Sequence, residues 1–146
     1  MSLIKDKQFY YLNTDVQPGQ VLSTEDGSTL AIWESTGGPN QQWQAHKMAE
    51  PGEWAFQSAE YLNWIMAPGI GDDQQLQLSS LDPSLNQILR WKVTGPADAK
   101  TIKSVAYPGP PQEVADLQGK DPSNGTPIIL YPSNDGLNQM WGFAPV

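Results

Sequence analysis

Apolar and polar residues alternate over short runs along this chain, which is the pattern of half-buried β-strands. The predicted strands cover residues 8–12, 29–33, 53–56, 76–78 and 127–131. Apolar residues do not recur at the helical period over a dozen positions, because Pro or Gly interrupts first. Asp26-Gly27, Asn124-Gly125 and Asp135-Gly136 are pairs that tolerate the positive φ of hairpin turns. The pattern predicts an all-β protein.

An Asn-Gln pair stands shortly before a Trp three times, at 40–43, 86–91 and 138–141. The tryptophans Trp43, Trp91 and Trp141 are 48 and 50 residues apart, and an apolar strand precedes each pair. The chain therefore divides into three units of about four strands, approximately 1–47, 48–94 and 95–146. One such unit cannot bury its inward face alone, whereas three around a common axis close a barrel without open edges.

Composition narrows the classes of function. The 146 residues fit one domain, and six Trp, five Tyr and three Phe provide a core. The net charge of −8 argues against nucleic acid and against anionic membranes as partners. The chain has no Cys, which excludes disulfides and thiolate metal sites. Lys5, Asp6 and Lys7 interrupt any apolar run near the start, so we expect no signal peptide and no membrane span. A cytoplasmic protein is expected, and release without a signal is left open.

No catalytic arrangement emerges from the sequence. Neither Gly-x-Ser-x-Gly nor His-Glu-x-x-His occurs, and the single histidine, His46, is interpreted as a surface imidazole. Gly69-Ile70-Gly71 lacks the third glycine and the helix of a dinucleotide-binding loop. Asp72 and Asp73 are interpreted as a solvated acidic loop rather than a calcium site. We expect no enzyme activity, no cofactor and no metal.

The third unit carries the most specific motif. It runs through Val-Ala-Asp-Leu-Gln-Gly at 114–119, Asn-Gly-Thr-Pro-Ile-Ile-Leu-Tyr-Pro at 124–132 and Asn-Gln-Met-Trp-Gly-Phe at 138–143. This order, with the threefold Gln-x-Trp pattern over essentially the whole chain, resembles the ricin B-type β-trefoil lectin family. The lack of Cys and of a signal peptide is closer to its cytoplasmic mushroom members. The resemblance implies a β-trefoil of about twelve strands in three pseudo-symmetric repeats that binds carbohydrate.

The resemblance also implies a sugar site in the third unit. The family's acid falls on Asp116, near Gly119, its stacking aromatic on Tyr131, and its amide pair on Asn138 and Gln139. A galactose-type sugar has a C–H face for the ring and adjacent hydroxyls for a carboxylate and an amide. Ile129 departs from the pattern, because the family often has a polar residue there.

The other two units match less well. The first unit keeps Trp33, Asn40 and Gln41, but its acid position falls on Ser23, with Glu25 or Asp26 as substitutes from the adjoining turn. The second unit keeps Gln77, Asn86 and Gln87, but it has Ser79 at the aromatic position and no acid. The predicted order of the sites is third, first, second.

Structural roles compete with these functional ones. We expect Trp43, Trp91 and Trp141 to fill the core rather than to stack on sugar. Whether Gln41 and Gln139 contact ligand or satisfy loop backbone stays open. Asp116 could instead stabilise a turn, and Tyr131 could be a half-buried strand residue.

The expected function is a lectin for galactose or N-acetylgalactosamine on glycoproteins or glycolipids. Up to three shallow, weak sites would act together, so agglutination of cells is expected, and a homodimer is left open. One alternative is a β-trefoil protease inhibitor that acts through surface loops. Another is a glycan-targeting module that belongs with a hydrolase or toxin.

Overall fold

The computed structural model describes residues 4–71 and 74–146, so Asp72 and Asp73 lie outside the described residues. The described part contains thirteen strands, and its helical segments are 3₁₀ turns of three residues each. The all-β prediction is confirmed. In that part of the chain, no helix is long and apolar enough to cross a membrane.

Each unit supplies four strands, and the second unit has a further strand of two residues. The first unit holds β1 (Phe9–Thr14), β2 (Gln20–Ser23), β3 (Ala31–Glu34) and β4 (Trp43–Lys47). The second holds β5 (Glu53–Ser58), β6 (Trp64–Met66), β7 (Gln74–Gln75), β8 (Gln77–Ser79) and β9 (Trp91–Thr94). The third holds β10 (Thr101–Ser104), β11 (Glu113–Leu117), β12 (Ile128–Pro132) and β13 (Trp141–Pro145). The 3₁₀ turns are Pro39–Gln41, Gln87–Leu89, Gln118–Lys120 and Leu137–Gln139.

The first and last strands of each unit form a closed barrel. β1 pairs with β4 and β13, β4 with β5, β5 with β9, and β9 with β10. A bridge between Lys100 and Trp141 completes the circle. The middle strands form three hairpins, β2–β3, β6–β8 and β11–β12, at one end of the barrel. This is the β-trefoil arrangement, and its closure leaves no open barrel edge.

Three buried residues mark the pseudo-threefold axis where the hairpins meet. The Leu30 N–H donates to the Leu76 carbonyl (3.0 Å), the Leu76 N–H to the Ile128 carbonyl (2.8 Å), and the Ile128 N–H to the Leu30 carbonyl (3.1 Å). This triangle explains the thirteenth strand, because Leu76 leaves the ladder to join it and separates β7 from β8.

The three repeat tryptophans lie in the core, as predicted, and each is fully buried. Their indole N–H groups donate to the carbonyls of Leu22 (3.0 Å), Ile65 (3.1 Å) and Ala115 (3.3 Å), respectively. A buried indole combines a large apolar surface with a satisfied donor, so each Trp attaches its unit's hairpin to the barrel. The three acceptors occupy one equivalent position, which allows the units to be compared residue by residue.

Candidate functional site

Strand register identifies which residues of the three units are equivalent. In each hairpin, one residue accepts a hydrogen bond from the repeat Trp through its carbonyl, and the next residue on that strand is at the acid position. The residue just before the acceptor pairs across the hairpin with the residue at the aromatic position. The residues at the acid position are Ser23, Met66 and Asp116. The residues at the aromatic position are Trp33, Ser79 and Tyr131. Only the third unit has both a carboxylate on the strand and an aromatic ring.

Asp116 is held in place by Gln139. The carboxylate is 3% exposed, and its Oδ2 accepts a hydrogen bond from Gln139 Nε2 (2.9 Å). The same Nε2 donates to the Pro132 carbonyl (2.9 Å), while Gln139 Oε1 accepts from the Asn134 N–H (2.8 Å). Gln139 is 1% exposed, and it orients the acid and the loop after β12. These hydrogen bonds are the supporting role of the two predicted for Gln139, and its contact with a ligand stays a prediction.

Asn138 presents an acceptor that no other group uses. Its Nδ2 donates to the Leu117 carbonyl (3.1 Å), which sets the orientation of the amide. Its Oδ1 is buried and has no hydrogen-bond partner among the described residues. A buried acceptor without a partner costs free energy, so this oxygen is suited to receive a donor from a ligand.

These groups line one open cavity of about 410 Å³. Asp116 and Asn138 form its base, and Tyr131, 41% exposed, forms a side. Gly119 lies at its rim with a positive φ of 63°, a conformation that favours glycine. The other lining residues are Gln118, Lys120, Ile129 and Asn134. Ile129 is 3% exposed and adds no hydrogen bond, as its departure from the family pattern predicted.

The electrostatics of the cavity favour a ligand that donates hydrogen bonds. Burial raises the pKa of Asp116, although the amides of Gln139 and Asn138 and the charge of Lys120 act in the opposite direction. The ionised carboxylate therefore gains from further hydrogen-bond donors. Hydroxyl groups on a ligand would supply them.

Lys120 and Asn134 line the cavity but were not predicted from the sequence. Lys120 follows Gly119 in the 3₁₀ turn after β11, also with positive φ, at 58°. The sequence feature that could have identified Lys120 is its position two residues after the Asp-Leu-Gln segment at 116–118. Asn134 lies at the cavity because its N–H donates a hydrogen bond to Gln139 Oε1, and the sequence does not indicate this contact.

The first unit assembles a different acid. Ser23 and Glu25 share a short hydrogen bond between their side chains, and Asn40 Nδ2 donates to Glu25 Oε2 (2.8 Å) and to the Thr24 carbonyl (3.1 Å). Glu25 thus supplies the carboxylate. Asp26, the other predicted substitute, accepts hydrogen bonds from the N–H groups of Ser28 and Thr29, which lower its pKa, and it closes the turn instead.

The rest of the first unit repeats the third. Gln41 is fully buried, accepts from the Thr36 N–H (2.8 Å) and donates to the Glu34 carbonyl (2.9 Å). It also holds a loop. Trp33 is partly exposed, beside Gly125 of the third unit. The first unit therefore has a ring, an acid and an amide, but the acid comes from a turn.

Asn86, the predicted amide of the second unit, does not lie at the position of Asn138. Counted back from Trp91, Ile88 and Leu89 occupy the positions of Asn138 and Gln139. A backbone hydrogen bond supports this equivalence. The Ala67 N–H donates to the Ile88 carbonyl (2.8 Å), and in the first unit the Thr24 N–H donates to the Asn40 carbonyl (3.1 Å). Asn86 lies two residues earlier, where its Nδ2 donates to the Asp82 carbonyl (2.8 Å).

Gln77 lies exposed opposite Met66. Among the described residues, the four equivalent positions of the second unit hold Met66, Ser79, Ile88 and Leu89 in place of the acid, the ring and both amides.

His46 is half-buried rather than a surface imidazole. Its Nδ1 lies 2.8 Å from Lys7 Nζ, and its ring packs edge-on against Trp64 at 4.7 Å. Burial and the Lys7 charge lower its pKa. In residues 4–71 and 74–146, no three His, Asp or Glu side chains lie close enough to hold a metal ion.

The chain is similar in structure to several lectins. The Rhizoctonia solani agglutinin matches with a TM-score of 0.83 and 20% identity over 100% of both chains. A Macrolepiota procera ricin B-like lectin in complex with lactose has a TM-score of 0.79 and 23% identity, covering 98% of this chain and 99% of that one. The C-half of an earthworm R-type lectin in complex with GalNAc has a TM-score of 0.71 and 24% identity, covering 95% and 99%.

These similarities establish the fold. The β-trefoil predicted from the resemblance to ricin B-type lectins is confirmed. The chain also matches part of a mosquitocidal holotoxin, with a TM-score of 0.81 and 16% identity over 96% of its own length, and it spans 16% of that toxin chain. No protein-family model and no curated protein sequence matches the chain.

Proposed function

We propose that this protein is a lectin that binds galactose or N-acetylgalactosamine residues of glycans, chiefly in the third unit. One observation carries the proposal: the buried acid Asp116, the amide residue Asn138 and the exposed ring of Tyr131 line one cavity. Two adjacent sugar hydroxyls donate to Asp116, a further donor meets Asn138 Oδ1, and the C–H face of the sugar lies on Tyr131. The groups bind and orient, and no bond is made or broken.

The first unit is the second site in this proposal, through Trp33, Asn40 and Glu25. Similar folds that carry lactose and GalNAc support the choice of sugar. Each site buries little surface and exchanges water for protein partners, so a dissociation constant of about 0.1–10 mM per site is expected. Two sites on one chain gain avidity on clustered glycans, which leads to agglutination.

The test is calorimetric titration with N-acetylgalactosamine and lactose. Asp116→Asn and Tyr131→Ala are each expected to weaken third-unit binding by about tenfold or more, because a charge-assisted hydrogen bond or the stacking surface is lost.

The matched control is Ser79→Ala, at the aromatic position of the second unit, which should change nothing. If the wild-type protein binds no glycan on a broad array, or if Asp116→Asn and Tyr131→Ala bind as well as wild type, the proposal is wrong.

A further inference from the structure

A second cavity lies on the other side of Tyr131. Its volume is about 540 Å³, and Tyr131 lines both this cavity and the one at Asp116. Tyr107, Pro108, Pro110 and Pro111 form much of its wall, and Ile70 of the second unit closes one side. The two cavities are therefore neighbours that share one aromatic side chain.

Glu113 lines this second cavity as a carboxylate without a partner. The residue is 6% exposed, and its side chain makes no hydrogen bond or ion pair with any residue of 4–71 or 74–146. Its backbone is satisfied, because the N–H donates to the Tyr107 carbonyl (3.1 Å) and the carbonyl accepts from Gln112 Nε2 (2.9 Å). Burial alone raises the pKa of the carboxyl.

In the first unit, the side chain at the equivalent position has partners within the protein. Gln20, which precedes Val21 as Glu113 precedes Val114, is 7% exposed. Its Nε2 donates to the Pro122 carbonyl (2.6 Å) and to Asn124 Oδ1 (3.0 Å) from the neighbouring unit. Glu113 has a different side chain at the same place and no such partner. Its carboxylate lies at the surface of the cavity, so a ligand that covers this surface must supply a donor to it.

We propose that the cavity at Glu113 binds the second sugar residue of a glycan whose terminal residue occupies the cavity at Asp116. This inference rests on the proposed function. A pyranose ring brings both a C–H face for the prolines and tyrosines and hydroxyl donors for Glu113. An alkyl substituent would cover the apolar wall but would leave the carboxylate buried without a donor. The ligand is thus a disaccharide or longer chain that passes over Tyr131.

The experiment compares methyl β-galactoside, octyl β-galactoside and lactose by calorimetry on wild type, Glu113→Gln and Glu113→Leu. Wild type should bind lactose about tenfold more tightly than methyl β-galactoside, the effect of one hydrogen bond to a charged group. Glu113→Gln should reduce this advantage, and Glu113→Leu should abolish it. Neither variant should change the affinity for methyl β-galactoside.

The variants should remain folded, because the Glu113 side chain has no protein partner to lose, and thermal melting checks this. Glu50→Gln, at an exposed acid, is the matched control and should behave as wild type. The inference is overturned if wild type binds lactose and methyl β-galactoside equally, if both Glu113 variants keep the lactose advantage, or if octyl β-galactoside gains as much as lactose. If neither lactose nor methyl β-galactoside binds to wild type, the proposed function itself has failed.

Discussion

The first and third units build similar sites from acids in different places. In the third unit Asp116 is part of a strand, is 3% exposed and is held by Gln139 at 2.9 Å. In the first unit Glu25 stands exposed in a turn and is held by Ser23 and Asn40. The carboxylate of the third unit is therefore the more rigid and the less hydrated of the two.

The amides differ in a related way. Asn40 Nδ2 and Asn138 Nδ2 each donate to an equivalent backbone carbonyl, that of Thr24 or Leu117, but Asn40 Nδ2 also donates to the Glu25 carboxylate. Groups fixed before binding lose less entropy when a ligand arrives. The comparison shows that one repeated fold can hold both a preorganised site and a less rigid one. The difference depends on whether the acid lies on a strand or in a turn.

The largest expected effect comes from Gln139→Leu, compared with Gln41→Leu. Leu89 holds this place in the second unit, so the fold accepts leucine there. The change at 139 leaves Asp116, the Pro132 carbonyl and the Asn134 N–H without a partner, at about 2–3 kcal/mol of unfolding free energy. Urea unfolding measures this loss, and calorimetry should show third-unit affinity reduced at least tenfold. Gln41→Leu should reduce the unfolding free energy by a similar amount but leave the affinity of the third unit unchanged. If Gln41→Leu and Gln139→Leu reduced third-unit affinity equally, the comparison would be contradicted.

A smaller effect is expected from pH. Because burial raises the folded pKa of Asp116 above 3.8, its contribution to stability is present below pH 3.8 and is lost as the pH rises through the folded pKa. Sugar affinity changes in the opposite sense, since hydroxyl donors need the ionised carboxylate. Affinity in the third unit should fall as the pH is lowered through the folded pKa, by at most about tenfold per unit. Titrations from pH 7 down to pH 3 test this, and third-unit binding that is unchanged down to pH 3 would refute it.

The smallest expected effect is steric. A Cβ on Gly136 would stand 2.6 Å from Asn138 Oδ1, and a Cβ on Gly38 would stand 2.8 Å from Asn40 Oδ1. Both glycines have φ of −72°, so alanine strains neither backbone and only the amides must move. Gly136→Ala should weaken third-unit binding by about two- to fivefold, and Gly38→Ala should affect the first unit alone. Unaltered titrations for both variants would show that the amides do not touch ligand.

Much of this architecture could be predicted from the sequence because each unit needs a tryptophan at the same position of the core. Trp43, Trp91 and Trp141 fill equivalent core positions, and their spacing therefore located the three units. In the third unit, Asp116, Tyr131 and Asn138 stand at fixed offsets from Trp141, and the structure brings all three to one cavity.

The features that the sequence did not reveal have physical causes as well. Asn86 is the residue type that the motif requires, but the distance in sequence from Trp91 decides which residue lies at the hairpin. That residue is Ile88. Asn134 and Glu113 matter through contacts between segments distant in the chain or between units. Glu113 and Ile70 line one cavity from two different units, and no pattern within a single repeat reports such a cavity.

The choice of ring at the aromatic position also has an optical consequence. The first unit presents a partly exposed indole in Trp33, while the lining of the third-unit cavity includes a phenol ring, that of Tyr131, and no indole. Quenching or a blue shift of tryptophan emission during a sugar titration would therefore report mainly on the first unit. Occupancy of the tighter cavity would be followed better by tyrosine absorbance or by the resonances of its ring protons.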